Sequence, residues 1–255
     1  MPRPIQSIER AAAILRLLSG RTRQLNLADL AGELRLPKGT VYGILRTLQS
    51  VGFVERDPES GRYQVGPALL HMGSSYLDGN ELRARALNWS DWLAAHGNES
   101  VRLGVLHEGQ VLLVHHIFRP DNSPQALEVG APLPVHATAM GKVLLARHAY
   151  LQAALSTQKT LARFTRWTIT DPQQLIAGLD EVREHGWAAA AEAFFEGEAS
   201  CAAPIFDRRG VALGAIAISG RTERICQGSQ PLSEFVALVR TGARRISNDL
   251  GAVPW

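Results

Sequence analysis

Side chains that can bind nucleic acid are concentrated between residues 38 and 47. The polar ones are Lys38, Thr40, Tyr42, Arg46 and Thr47. Their cations and hydroxyls suit contacts with phosphate oxygens and base edges. Gly39 and Gly43 lie among them and allow the backbone to approach a partner closely. Arg56 and Arg62 follow at positions where a β-hairpin wing is expected to contact the DNA backbone or minor groove.

The surrounding pattern predicts the elements that position this stretch. Apolar residues recur at helical spacing at Ile8, Ala11, Leu15 and Leu18. Asn26 is a good N-cap for a short helix over 27–34, and Pro37 suits the first turn of a third helix that runs to about Val51. Two short strands flank the turn 57–61. Three helices and a hairpin in this order form a winged helix-turn-helix over residues 1–66, whose third helix reads DNA.

The charge distribution agrees with this interpretation. The net charge is +3, but residues 1–66 hold 10 Lys/Arg and 6 Asp/Glu, whereas residues 67–255 hold 17 and 18. A basic excess confined to one domain is expected when that domain binds a polyanion. Ordinary solvated side chains would give the same count, so the charge supports DNA binding only together with the order of the elements.

Length and composition exclude several other classes of protein. The chain has 255 residues, of which 45% are hydrophobic and 20% charged, a balance typical of globular domains. The longest apolar stretch, 211–219, is too short to cross a bilayer. Glu9 and Arg10 interrupt the region where a secretory signal would have its apolar core. Two cysteines cannot form a disulfide framework. We therefore expect a cytoplasmic protein without a membrane partner.

The remainder of the chain predicts a linker helix over 67–79 and an α+β domain over 80–255. Helices are expected at about 81–96, 137–147, 172–185 and 232–250. The strands Val101–Val105, Val111–Val114, 202–206 and 211–218 are rich in apolar residues, so they are expected to be central and buried by helices.

One helix start in this domain is a candidate ligand site. The segment 130–136 leads to a helix expected to begin at Ala137, and the first amides, near Ala139 and Met140, have no intrahelical partner and can bind an anion. The alternative is an ordinary helix start satisfied by water. In either case Thr138 is expected to cap the helix and Lys142 to pair on its surface.

Four segments resemble the IclR family of bacterial transcription regulators. They are Ile5-Gln-Ser-Ile-Glu-Arg-Ala11, Leu36-Pro-Lys-Gly-Thr-Val41, Gly61-Arg-Tyr63 and His136-Ala-Thr-Ala-Met-Gly-Lys142. The resemblance implies a GAF-like effector-binding domain in which the matching amides hold a small carboxylate or phosphate. The family's other pocket positions correspond to Ala190, Ser200, Ala217 and Ser219.

The pocket departs from the family pattern in a way that suggests its ligand. Ala190 stands where the family commonly has an acid, and Ala217 lacks a frequent serine. Losing a carboxylate removes like-charge repulsion, so a more anionic ligand is expected. Segments such as Gly43–Gln49 and Leu82–Leu87 are similar to members that regulate glycerol operons in actinomycetes, which favours glycerol 3-phosphate.

The resulting hypothesis is a regulator, most simply a repressor, of a catabolic operon for glycerol utilisation. It would bind double-stranded operator DNA as a homodimer, with pairing of dimers into a tetramer left open. No cofactor or metal is expected, because no Walker loop, Gly-x-Ser-x-Gly elbow or paired metal-ligand spacing is present. The alternative is a GAF-like thiol enzyme with an accessory DNA-binding domain. It would need an exposed thiol of low pKa, and the position of Cys201 within an apolar strand argues against one.

Overall fold

Two units make up the chain in the computed structural model, Met1–Gly79 and Asn80–Trp255. The structure describes residues 4–20, 24–121, 123–228 and 230–252. The elements of the first unit are α1 (Gln6–Leu18), α2 (Leu27–Leu34), α3 (Lys38–Ser50), β1 (Val54–Arg56), β2 (Tyr63–Val65) and α4 (Ala68–Asp78). The strands β1 and β2 pair in antiparallel fashion. This order confirms the predicted winged helix-turn-helix.

Local capping fixes the boundaries of the helices in this unit. The side chain of Asn26 accepts hydrogen bonds from the amides of Ala28 and Asp29, and the Asp29 carboxylate accepts one from the Asn26 amide. This reciprocal pair is a capping box, which satisfies backbone donors that the helix leaves open. Gly52, with φ +74°, follows α3 in the left-handed conformation that glycine adopts without strain.

The core of the first unit corrects one prediction about α1. Ile14 and Leu18 are buried against residues of α2, α3 and β1, and Ala11 and Leu15 are partly buried there. Ile8, expected on the same stripe, is 64% exposed. Burial along α1 begins after its first turn, and spacing alone does not show where a partner surface ends.

The second unit is built on a six-stranded antiparallel sheet with the order β5-β4-β3-β8-β7-β6. The sheet strands are β3 (Ser100–His107), β4 (Gln110–Ile117), β5 (Pro132–Pro134), β6 (Ala188–Ala191), β7 (Glu198–Phe206) and β8 (Ala212–Arg221). The helices are α5 (Glu81–Gly97), α6 (Ala139–Leu145), α7 (Ala149–Ser156), α8 (Pro172–Ala177), α9 (Leu179–His185), α10 (Thr222–Ile225) and α11 (Ser233–Asp249). A small hairpin, β9 (Cys226–Gln227) and β10 (Gln230–Pro231), precedes α11.

Helices cover both faces of this sheet, which confirms the predicted α+β domain. On one face α5 and α11 pack closely, because Gly242 leaves space that the side chain of Leu93 fills. On the other face α6 packs on a core cluster that includes Met140, Ala202 and Ala217. No helix among the described residues is long and apolar enough to cross a membrane.

Several element boundaries differ from the sequence prediction. The helix expected over 172–185 is two helices separated at Gly178, and the helix expected to start at Ala137 starts at Ala139. The strand Ala188–Ala191 was not predicted, because four consecutive alanines favour a helix by intrinsic propensity. Antiparallel pairing with β7 overrides that propensity here.

Candidate DNA-binding surface and effector cavity

The predicted reading helix α3 presents its polar residues on the surface of the first unit. Lys38, Arg46 and Thr47 are exposed, Tyr42 is 47% exposed, and Thr40 is partly buried. The opposite side of α3 carries the buried residues Val41, Leu45 and Leu48. Gly39 and Gly43 also lie on the open side, since a Cβ built on either meets nothing within 4 Å. The helix therefore has one apolar side for the core and one polar side available to a ligand.

A groove of about 360 Å³ lies between α2, α3 and the hairpin. It brings together three of the predicted DNA-binding residues, Lys38, Tyr42 and Arg56. Asn26 and Ser60 also line it and were not predicted, although the N-cap signal at Asn26 had placed that residue at a helix start. Arg46, Thr47 and Arg62 lie outside this groove.

The two hairpin arginines are held by contacts within the unit. The Nε of Arg56 donates to the carbonyl oxygen of Gly61 at 3.0 Å, and its guanidinium lies 5.7 Å from the ring centroid of Tyr63. The Nη1 of Arg62 donates to the carbonyl oxygen of Gln24 at 3.3 Å. A guanidinium has five N–H donors, so each arginine keeps donors for a partner while its position is fixed. Arg3, Arg21 and Arg23, which contribute to the basic excess, lie outside the described residues.

Strand register builds the ligand-binding candidate in the second unit. Ala190, Ser200, Ser219 and Ser100 are successive partners across β6, β7, β8 and β3. Residues directly opposite in antiparallel strands point to the same face of the sheet. Two residues along β3, Arg102 pairs with Ala217, so it shares that face. Four strands thus place small, hydroxyl and guanidinium side chains together.

A cavity of about 30 Å³ lies on this sheet face. Of the predicted effector residues, Met140, Ala190, Ser200 and Ser219 line it. Ala139, the first residue of α6, and Ala217, on β8, are buried and do not line the cavity. A cleft of about 310 Å³ shares the lining residues Arg102, Glu128, Phe195, Glu198 and Ser219 with the cavity. The small cavity therefore adjoins a larger space of about the size that a small metabolite needs.

The start of α6 closes one side of the cavity. The hydroxyl of Thr138 accepts a hydrogen bond from the amide of Gly141 at 3.1 Å and donates to the carbonyl oxygen of Pro134 at 2.9 Å. The predicted capping role of Thr138 is therefore confirmed. The cap satisfies the amide of Gly141, which is not one of the predicted anion donors, the amides of Ala139 and Met140.

The sequence interpretation missed the charged residues of the cavity. Nε of Arg102 lies 2.8 Å from Oε2 of Glu128, and Nη1 of Arg102 contacts Oε1 of Glu198. The expected loss of a carboxylate at Ala190 is thus offset by two glutamates from other parts of the chain. Glu128 and Glu198 are 26 and 96 positions from Arg102 along the chain, and no sequence spacing links them.

An unsatisfied hydroxyl also marks the cavity. Ser219 is only 2% exposed, and its Oγ has no hydrogen-bond partner among the described residues. Leaving a buried hydroxyl without a partner costs about 1–3 kcal/mol. Ser219 lines the cavity, so a bound ligand can supply the missing partner.

Two predictions about reactive side chains are resolved by burial. Lys142 does not pair on the surface as expected, because its Nζ donates to the carbonyl oxygen of Ala189 at 3.0 Å. Burial lowers the pKa of Lys142. Cys201 is fully buried, and desolvation raises its pKa to about 12. A thiol in that state is not a nucleophile near neutral pH, which argues against the thiol-enzyme alternative.

Comparison with known proteins agrees with both units. Residues 7–58 match the IclR helix-turn-helix domain, and residues 74–248 match the C-terminal domain of bacterial IclR transcriptional regulators. Glycerol operon regulatory proteins of Streptomyces coelicolor and Streptomyces griseus are 54% and 51% identical, each over 99% of both chains. The crystal structure of an IclR-type regulator from Alicyclobacillus acidocaldarius is 29% identical, with a TM-score of 0.82 over 98% of this chain and all of that one. The chain therefore belongs to the IclR family, and it is a DNA-binding transcription regulator with an effector-binding domain rather than an enzyme.

Proposed function

We propose that this regulator represses an operon for glycerol utilisation in the cytoplasm and releases the operator when glycerol 3-phosphate binds its second domain. The operon assignment rests on the two Streptomyces relatives, whose names state that function and which align over 99% of the chain. Release by a metabolite is the simplest regulatory mode, because a ligand with higher affinity for the unbound form shifts the population away from DNA.

The DNA-binding half of the proposal is supported by the polar side of α3 and the adjoining groove. Lys38, Tyr42 and Arg56 converge on the groove, while Arg46 and Thr47 extend the same exposed helix. We propose that α3 enters the major groove and that the hairpin contacts the flanking backbone. Two winged helix-turn-helix units in a homodimer would bind a pseudo-palindromic operator. Dimers would pair where two operators are adjacent.

One observation carries the effector half, namely the unsatisfied Oγ of Ser219 in a cavity that also contains a guanidinium. Arg102 can donate two parallel hydrogen bonds to a phosphate, and Ser200 and Ser219 can bind either phosphate or glycerol oxygens. The adjoining cleft of about 310 Å³ admits a three-carbon phosphate. Glycerol 3-phosphate combines these two kinds of group in one small molecule.

Mobility shift with the DNA upstream of the regulator's own gene tests the proposal. The full chain is expected to retard this DNA, and glycerol 3-phosphate is expected to release it while glycerol and small carboxylates do so weakly. Arg46→Ala and Thr40→Ala are expected to weaken operator binding with the fold intact. Wild-type footprints from both variants would mean that α3 is not the reading helix.

Isothermal titration of the full chain tests the effector separately. We expect glycerol 3-phosphate to bind and glycerol to bind more weakly, because glycerol lacks the group that pairs with Arg102. Binding of glycerol without binding of glycerol 3-phosphate would reject the proposed ligand. Sedimentation of the free regulator and of its operator complex gives the oligomeric state, and a monomer on DNA would reject the dimer.

A further inference from the structure

Arg102 brings a guanidinium to the effector cavity, but two glutamates already neutralise it. Arg102 and Glu128 have side chains that are 15% and 10% exposed, and Glu198 is 32% exposed. Screening by water and salt is weak for charges buried to this extent. The three groups together carry one net negative charge in the place where the proposed function puts an anion.

The contact between Arg102 and Glu128 is an ion pair with incomplete hydrogen bonding. Nε and Oε2 are 2.8 Å apart, yet the Nε–H does not point closely enough at a carboxylate oxygen to form a hydrogen bond. The Ser219 hydroxyl at the same cavity also has no partner among the described residues. Both groups are hydrogen-bond donors, and a phosphate offers several oxygens that accept hydrogen bonds.

An anion cannot simply be added to this cluster. A phosphate placed on Arg102 beside both carboxylates would meet two like charges, which opposes binding. If one glutamate leaves when the phosphate arrives, Arg102 exchanges one anionic partner for another. A phosphate monoester carries nearly two negative charges at neutral pH, so the cluster then holds about two net negative charges, where it would hold about three if both glutamates stayed.

The backbone context distinguishes the two glutamates. Glu198 begins β7, where it is paired with Arg221 of the neighbouring strand β8. Glu128 lies in the connection 118–131 between β4 and β5, outside any strand. Its amide donates to Nδ1 of His116 at 3.3 Å, and its carbonyl oxygen accepts from the amide of Ala131 at 2.9 Å. A shift of the backbone at Glu128 moves a connection, whereas a shift of the backbone at Glu198 would break strand pairing.

We propose that Glu128 is a built-in competitor for the anionic effector, which displaces it from Arg102 and thereby releases residues 123–131. Arg102 is then the residue that selects an anionic over a neutral ligand, and the movement of Glu128 is the first structural response to binding. This inference rests on the proposed function for the anionic class of the effector.

Removing the charge of Glu128 tests whether the anionic effector displaces this residue from Arg102. Glu128→Gln keeps the size of the side chain and removes its charge, so it is expected to raise the affinity for glycerol 3-phosphate about tenfold and to leave the affinity for glycerol unchanged. Glu198→Gln also removes a negative charge beside the bound phosphate and is expected to raise the affinity as well, but to leave the hydrogen exchange of residues 123–131 in the free protein unchanged. Glu184→Gln, on the exposed side of α9, removes the same charge away from the cavity and is the control.

Titration of the full chain with glycerol 3-phosphate, inorganic phosphate and glycerol separates the possible failures. If wild type binds glycerol 3-phosphate and Glu128→Gln binds it no more tightly, the proposed displacement of Glu128 is overturned, but glycerol 3-phosphate remains the proposed effector. If wild type binds inorganic phosphate but not glycerol 3-phosphate, and Glu128→Gln binds inorganic phosphate more tightly, the effector is wrong and the exchange stands. If neither protein binds either anion, both are overturned.

Hydrogen exchange supplies a readout that a purely electrostatic role of Glu128 would not change. The amides of residues 123–131 are expected to exchange faster when glycerol 3-phosphate binds wild type. In Glu128→Gln they are expected to exchange faster without ligand. Equal protection of this segment in free and bound wild type would overturn the proposed release.

Discussion

Replacing Gly43 with alanine should strengthen the reading helix and weaken operator binding at the same time. Gly43 lies within α3, and a methyl group built there meets nothing within 4 Å in the protein. Alanine is favoured over glycine inside a helix by about 0.8–1 kcal/mol. With no clash to offset this gain, we expect the first unit to be stabilised by about that amount.

The expected loss of DNA affinity has a separate origin. If the open side of α3 packs against the major groove, the added methyl enters a close contact. An extra methyl in a well-packed contact costs about 1–3 kcal/mol, which corresponds to roughly a fivefold or larger rise in Kd for the operator. The same substitution therefore moves stability and binding in opposite directions, which a general disturbance of the fold would not do.

The matched control is Gly32→Ala, which adds a methyl on α2 in equally open space. It should raise stability by a similar amount and leave operator affinity unchanged. All five tryptophans lie beyond residue 79, so stability of the first unit is best followed by hydrogen exchange of the α3 amides. A Gly43→Ala protein that is stabilised but binds the operator as tightly as wild type would refute the placement of this side of α3 against DNA.

Three further predictions concern other parts of the chain. Arg62→Ala should weaken binding to operator and unrelated DNA alike and reduce the salt slope of log Kd by about one; a loss confined to the operator would contradict this. Gly141→Ala should lower the free energy of unfolding of the second unit by about 3 kcal/mol or more, because the methyl would overlap the backbone of Val135. Urea titration by tryptophan fluorescence checks this, and a wild-type midpoint would count against it. The pKa of Cys201 is raised to about 12, so its thiol stays protonated at pH 8. We expect it to react with a thiol reagent only after the protein unfolds. Rapid labelling of the native protein would contradict its burial.

The winged helix could be predicted almost completely, because its signals are local. The N-cap at Asn26, Pro37 before α3, and Gly52 after it each act on the adjacent backbone, and the core positions Val41, Leu45 and Leu48 follow the helical repeat. The prediction for Ile8 was wrong because the repeat gives the orientation of a side chain and not the extent of the surface that covers it.

The fold class of the second unit was predicted correctly, whereas some of its elements and the position of Lys142 were not. The strands rich in apolar residues and the long helices α5 and α11 could be recognised from their own composition. β6 could not, because its alanines form a strand only through pairing with β7. Lys142 was expected on the surface because its polarity suggested exposure, whereas the fold buries its stem and supplies a carbonyl oxygen for its amine.

For the effector site, the sequence by itself determined the class of the domain and, through family resemblance, four residues that line the cavity: Met140, Ala190, Ser200 and Ser219. Only the tertiary structure decided that Arg102, Glu128 and Glu198 meet there. The physical reason is that strand order and register bring together residues far apart in the chain, and neither composition nor periodicity encodes which strands become neighbours. The charge of the cavity therefore depends on which strands become neighbours. The proposed competition between Glu128 and the effector for Arg102 depends on it in turn.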